Sequence, residues 1–151
     1  MNILMFGPPG SGKGTYASRL YAELKLPHIS TGDLVRQEIK DQTKIGKQIE
    51  EYSKRGALVP DGTIIEILRN RISRPDCATG FILDGFPRTI QQAEALDKII
   101  SVDIVINLDV PDEIIIERLS SRLTCSGCGE IYNARFLKPK IEGVCDKCGG
   151  K

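Results

Sequence analysis

A three-layer α/β fold, a parallel sheet held between helices, is what this sequence predicts, and three observations carry the prediction. The chain opens on an apolar run, Ile3-Leu4-Met5-Phe6, that passes through a glycine-rich stretch into a segment with helical apolar spacing at Ala17, Leu20, Tyr21 and Leu24. Strand-like runs recur at Gly80 to Leu83 and Asp103 to Leu108 with helical stretches between them, an alternation that implies parallel strands joined by crossover helices. With 151 residues, 40% of them hydrophobic and 27% charged, the chain has the make-up of one ordinary globular core.

The first strand, Asn2 to Phe6, leads into Gly7-Pro8-Pro9-Gly10-Ser11-Gly12-Lys13-Gly14-Thr15. This stretch meets the pattern Gly-x-x-x-x-Gly-Lys in full, directly after a strand and before a helix. In that setting backbone N–H groups point inward at an anion, the helix N-terminus adds positive potential, and the lysine reaches the outer phosphates of a nucleotide. Gly10, Ser11, Gly12, Lys13, Gly14 and Thr15 are therefore candidate phosphate-binding residues. The general pattern places Ser or Thr after the lysine to touch the metal, but here Gly14 stands there and Thr15 follows. Magnesium is accordingly expected to be held mostly through water and phosphate oxygens.

Pro27-His28-Ile29-Ser30 adds a short strand, and Ser30-Thr31-Gly32-Asp33 has the form of a helix start with a capping box. His28, the single histidine, has no ligand spacing around it and reads as structural. From Thr31 to Lys54 the chain is polar, helical and rich in Lys and Glu until it breaks at Arg55-Gly56, which suggests an inserted helical flap. A helix from Pro60-Asp61-Gly62 to about Ser73 presents Ile64, Ile65, Ile67, Leu68 and Ile72, and Pro75 stops it. Phe81-Ile82-Leu83-Asp84 is an apolar strand ending in a carboxylate, either a magnesium-side group or a plain strand cap. Helices are expected at about Ile90 to Ile100 and Asp112 to Leu123, the second placing Arg118 and Arg122 four apart on one face.

Near Thr124 the composition shifts to Cys, Gly, Lys and Pro. Cys125-Ser-Gly-Cys128 and Cys145-Asp-Lys-Cys148 are two Cys-x-x-Cys pairs, close to the usual four-thiolate zinc pattern, with Gly127, Gly129 and Gly149 supplying turns. A redox dithiol and a pair of disulfides are the alternatives, and a four-thiolate site also accepts iron or cobalt. Cys77 stands alone and reads as a small, partly buried side chain. A formal net charge of +1 gives no overall bias toward nucleic acid or membrane, and Lys138, Lys140, Lys147 and Lys151 form only a thin basic cluster for a nucleic-acid-binding zinc ribbon. No apolar run has the length of a membrane span and no signal-peptide layout opens the sequence, so a cytoplasmic location is expected.

Leu83-Asp84-Gly85-Phe86-Pro87-Arg88-Thr89 is a strand end, a tight turn and a helix start carrying one arginine. Taken with Gly7 to Thr15, Ser30 to Asp33, Gly56-Ala57-Leu58-Val59 and the four cysteines, it resembles the adenylate kinase family, in its long form with a four-cysteine zinc lid, along the whole chain. The resemblance implies Mg²⁺-dependent transfer of the outer phosphate of ATP to AMP, giving two ADP. It also implies a core of residues 1–29 and 60–123, an NMP-binding flap of 30–59, a zinc lid of 124–151 and a monomeric state. Lys13, Arg88, Arg118 and Arg122 would be catalytic, with Arg118, Arg122 and Tyr132 joining the loop around ATP. Thr31, Gly32, Arg36, Leu58, Val59, Gly85, Arg88 and Gln92 match positions around AMP, and Asp84 would act on Mg²⁺ indirectly. Tyr132, Asn133 and Phe136 could equally pack within the lid.

Both nucleotides are polyanions and the attacking phosphate oxygen is already ionised, so transfer needs positive charge and positioning rather than a base. Planar five-donor arginine forks suit that task, and the absence of a His or Cys nucleophile constellation agrees with it. Family members continue beyond the point corresponding to Lys151, with further lid arginines, another helix and a final strand. The 103–108 strand is therefore expected at a sheet edge. A module that binds nucleotide and zinc without turnover, or a kinase for UMP or CMP, are the alternatives.

Overall fold

The computed structural model describes residues 1–55, 57 and 59–151, which fall into two compact units: Met1–Gly7 with Gly12–Leu108, and Pro8–Ser11 with Asp109–Lys151. In the first unit the elements run β1 (Asn2–Phe6), α1 (Lys13–Leu24), β2 (His28–Ser30), α2 (Thr31–Lys40), α3 (Lys44–Lys54), α4 (Asp61–Ile72), β3 (Phe81–Asp84), α5 (Ile90–Asp97) and β4 (Ile104–Asn107). Among the described residues the sheet has four strands in the order β2-β3-β1-β4, every pair parallel.

Side chains alternate across a strand, and here each face has its own cluster. On one face Leu4, Ile29, Phe81 and Leu83 pack with Leu68 of α4, Leu96 of α5, Phe86 and Cys77. On the other, Ile3, Met5 and Ile82 pack with Ala17 of α1 and with Leu26. Helices thus cover both faces, as the periodicity predicts, and all four residues of β3 are buried. In contrast, β4 forms an edge, with Val105 57% exposed.

The helical stretch expected from Thr31 to Lys54 folds as two helices, α2 and α3. Thr43 caps α3, its Oγ1 accepting from the Gly46 amide at 2.9 Å. At Gly46 a Cβ would lie 1.9 Å from the Glu38 carbonyl oxygen, so only glycine lets α3 fold back this closely on α2. The capping box is realised in part: Ser30 caps α2, its Oγ accepting from Asp33 N at 3.3 Å. Helix α5 ends three residues earlier than expected, where the amides of Ile99 and Ile100 both bond the Leu96 carbonyl.

The second unit contains α6 (Asp112–Ser120) and a two-stranded antiparallel hairpin of β5 (Arg122–Thr124) and β6 (Ile131–Asn133). The expected helix to Leu123 is corrected here. Ser120 and Ser121 both turn their hydroxyls onto the Glu117 carbonyl, at 3.1 and 2.5 Å, the kind of local bonding that competes with helix continuation. The next three residues take Ile131 to Asn133 as strand partners. Arg118 and Arg122 therefore do not share a helical face: one is helical, the other lies on an exposed strand. Among the described residues no helix is long and apolar enough to cross a membrane.

Candidate active site

The loop between β1 and α1 is shaped by Gly7, Gly10 and Gly12, which hold φ of 141°, 85° and 97°. Side chains resist these values, so the glycines permit a bend in which backbone amides can face an anion. Helix α1 begins at Lys13, whose Nζ donates to the Gly7 carbonyl at 2.7 Å across the loop. Gly14 and Thr15 follow, exposed, and a side chain at Gly14 would meet nothing within 4 Å. The amides of this first turn have no acceptor within the helix and point out of its N-terminus.

Within the second unit, Ser11 is 2% exposed and its Oγ has no hydrogen-bond partner among the described residues. Arg118 Nη1 donates to the carbonyls of Gly10 and Ser11 at 3.3 and 3.2 Å, which ties this arginine to the loop segment of its own unit.

In the first unit, strand register places a second group of residues beside the loop's origin. Met5 pairs with Asp84 and Ser30 pairs with Asp84, so β1, β2 and β3 end together at the carboxyl edge of the sheet. Ligands of open parallel sheets bind at this edge. Asp84 is 9% exposed, with its Oδ2 3.4 Å from His28 Nε2, so the lone histidine is a neighbour of the strand-end carboxylate. The Gly85 carbonyl accepts from Thr31 Oγ1 at 3.0 Å and from Arg88 Nε at 2.8 Å. These two hydrogen bonds to one oxygen link the start of α2 to Arg88 through the guanidinium's Nε. Gln92 is buried, accepts from Arg88 N at 2.8 Å and donates to Asp61 at 2.5 Å.

Thr31, Gly85, Arg88 and Gln92 are thus joined in one hydrogen-bonded chain, and Asp84 lies at its head. Arg36 is exposed and paired with Asp33, one turn along α2 from Gly32. Val59 is partly buried, and Leu58 lies outside the described residues, as does Gly56. Asp61 is the residue that sequence reasoning passed over: Pro60-Asp61-Gly62 reads as a helix start and nothing more. Its role depends on Thr89 and Gln92, 28 and 31 positions away, and a single sequence carries no trace of that pairing. A cavity of about 620 Å³ lined by Met1, Arg69, Cys77 and Lys98 lies at the opposite, amino end of the strands and shares no residue with this chain.

The four cysteines converge. All four Sγ atoms lie within 4.8 Å of one another, Cys125 being 3.5 Å from Cys148 and Cys128 3.6 Å from Cys145. Zn–S bonds of about 2.3 Å in a tetrahedron require S···S edges of about 3.8 Å, so the donor set fits one zinc ion. Tyr132 is buried against Cys125 and Cys145, its hydroxyl 3.4 Å from Cys145 Sγ and accepting from Asp146 N at 2.8 Å. The bond to Tyr132 brings the Cys145 thiol down to about 6, while the same bond pushes the Tyr132 hydroxyl up to about 12. At Cys128 the Glu130 amide favours the thiolate, but the neighbouring thiols of Cys148, Cys145 and Cys125 outweigh it and the group stands at about 12. Like charges at such distances cannot all ionise without a cation between them.

A family model described as adenylate kinase matches residues 5–147. An adenylate kinase of Carboxydothermus hydrogenoformans is 53% identical over 156 residues, covering 100% of this chain and 73% of the relative. Adenylate kinases of Thermosipho africanus and Treponema denticola are each 51% identical, covering 99% of this chain and 72% of their own lengths.

Proposed function

This chain belongs to the adenylate kinase family and is a phosphotransferase that carries a phosphoryl group from ATP to AMP, and on that premise we propose how its own residues divide the work. The observation that carries the proposal is the shared exit of β1 and β3. Parallel register from Asn2↔Phe81 to Met5↔Asp84 sends the Gly7 to Thr15 loop and the Gly85 to Arg88 turn out of the same edge of the sheet. Two phosphate-directed elements on adjacent strands suit a reaction that joins two polyanions.

The amides of Gly10, Ser11, Gly12, Lys13, Gly14 and Thr15 hold the donor phosphates, and Lys13 moves from the Gly7 carbonyl onto them. Arg88, steadied at Nε by Gly85, grips the acceptor phosphate with its outer N–H groups, and Arg36 does the same after leaving Asp33. Thr31, Gly32, Leu58, Val59, Gly85 and Gln92 surround the acceptor adenosine. Arg118 and Arg122 add positive charge to the donor phosphates, Arg118 from its place on the loop carbonyls and Arg122 from a strand. No group has to take a proton from the acceptor, since its phosphate oxygen is ionised at neutral pH.

Adenylate kinases use Mg²⁺ with ATP. Hard carboxylate oxygens fit that ion, and Asp84 at the end of β3 is the residue that would hold it, through water. When bound it would neutralise charge shared between the outer phosphates. Cys125, Cys128, Cys145 and Cys148 would hold Zn²⁺, which supplies a cross-link and takes no part in transfer. Tyr132 serves the cysteine module first, and its ring borders the donor nucleotide.

A coupled assay of ADP formation from ATP, Mg²⁺ and AMP tests this reading. Lys13→Met is expected to lower turnover by at least about 10³-fold, the scale on which a preorganised charge at a phosphoryl centre acts. Its metal content should be unaltered. Turnover near that of the parent would end the assignment of the loop as the donor cradle.

A further inference from the structure

We infer that Asp61 sets the choice of acceptor base by fixing which way round the Gln92 side-chain amide faces. This role presupposes the proposed placement of Gln92 beside the acceptor base. Gln92 is 6% exposed and held at both ends of its amide: Oε1 accepts from Arg88 N at 2.8 Å, and Nε2 donates to Asp61 Oδ1 at 2.5 Å. Chemistry alone dictates this orientation, because a backbone N–H can only donate and a carboxylate can only accept. Asp61 is in turn anchored, its Oδ2 accepting from Thr89 Oγ1 at 3.2 Å, while the same hydroxyl oxygen accepts from Gln92 N at 3.1 Å. The carboxylate therefore stands at the first turn of α4 with one oxygen on the cap of α5 and the other on the amide that α5 carries.

Held this way, Gln92 keeps one spare N–H on Nε2 and one spare lone pair on Oε1, in fixed places. Adenine offers an acceptor at N1 beside a donor at N6. Hypoxanthine and guanine offer the reverse, a donor at N1 beside an acceptor at O6. An amide free to turn over would serve both patterns, whereas a pinned one serves a single pattern and leaves the other base with unpaired polar groups. Asp61 touches neither base nor phosphate in this scheme. It is a positioning residue, and through the Gln92 bond to Arg88 N it also couples base recognition to the phosphate-binding arginine.

Replacing the carboxylate by an amide, Asp61→Asn, supplies a partner for either orientation of Gln92 at the Nε2 end, leaving the Arg88 N–H alone to resist a turn of the amide. Binding of AMP and of IMP, titrated calorimetrically against the parent and the variant, reads the consequence without requiring turnover. The ratio of the two affinities is expected to fall about tenfold, the worth of one charge-assisted hydrogen bond, with ATP affinity unchanged within about twofold. Asp61→Ser, which also suits the first turn of a helix, should give the same fall and guards against a folding defect peculiar to the asparagine. An unaltered ratio in both variants, each with a native circular dichroism spectrum, would overturn the role of Asp61. Gln92→Leu separates the two levels: loss of discrimination there with none in the Asp61 variants removes Asp61 alone. Retained discrimination in Gln92→Leu removes the base-reading placement itself.

Discussion

In the sheet unit Ile82, Leu83 and Leu68 are sealed completely, and two clusters of apolar side chains lie on opposite faces of one sheet. From Thr124 onward, the cluster of buried residues is Cys125, Tyr132 and Cys145. One region is held by apolar burial, the other by polar atoms crowded around four sulfurs. A metal ion held by the four sulfurs would supply a cross-link where apolar burial is scarce. The difference bears on the proposed function, because Thr31, Gly85, Arg88 and Gln92 are joined in the sheet unit, while an ion held by the four cysteines would stiffen the module.

The sharpest way to break this contrast is to remove one sulfur. Cys145→Ser should lower bound zinc from about one equivalent to near zero and leave the module open to protease, since structural zinc stabilises small sites by about 10–16 kcal/mol. Metal analysis and limited proteolysis check it. The sheet unit should keep its helical circular dichroism. If the module stayed protected without metal, it would have a core that the burial pattern does not reveal.

A cavity in the sheet comes next in size. Leu83 is completely buried between β1 and β2 in register, and Leu83→Ala should destabilise the fold by about 3–4 kcal/mol in urea unfolding, with bound zinc unchanged. A loss below about 1 kcal/mol would mean that the sheet region is as weakly packed as the module. Loss of zinc along with stability would mean that the two regions do not unfold independently.

How legible each region was in the sequence follows the same division. Strands β1 and β3 and the loop after β1 are local patterns: an apolar run, glycines at fixed offsets and a lysine, each interpretable within a few residues. The cysteine cluster is legible too, because ligand spacing is itself a statement about geometry. Two things were not. Helix α6 carries apolar periodicity through Leu123, and nothing local announces that Ile131 to Asn133 will claim Arg122 to Thr124 as a strand. Asp61 looks like an ordinary first-turn acid, and its bonds to Thr89 and Gln92 exist only once α4 and α5 are packed on one face of the sheet.

The finest test of the contrast is a single oxygen. Tyr132→Phe keeps the ring that packs on Cys125 and Cys145 and removes the hydroxyl that bonds Cys145 Sγ and accepts from Asp146 N. If the module were held by apolar packing, the variant would be silent. If it is held through its sulfurs, the hydroxyl is an outer partner that orients a ligand, and such partners are worth about 10–100-fold in metal affinity. Competition with a chelator should therefore show a loss in that range, while the urea midpoint of the sheet unit stays where it was. The proposal that the Tyr132 ring borders the donor nucleotide makes KM for ATP the opposing readout. A raised KM with unchanged metal affinity would move the hydroxyl from the sulfurs to the nucleotide and make the module a binding surface in its own right.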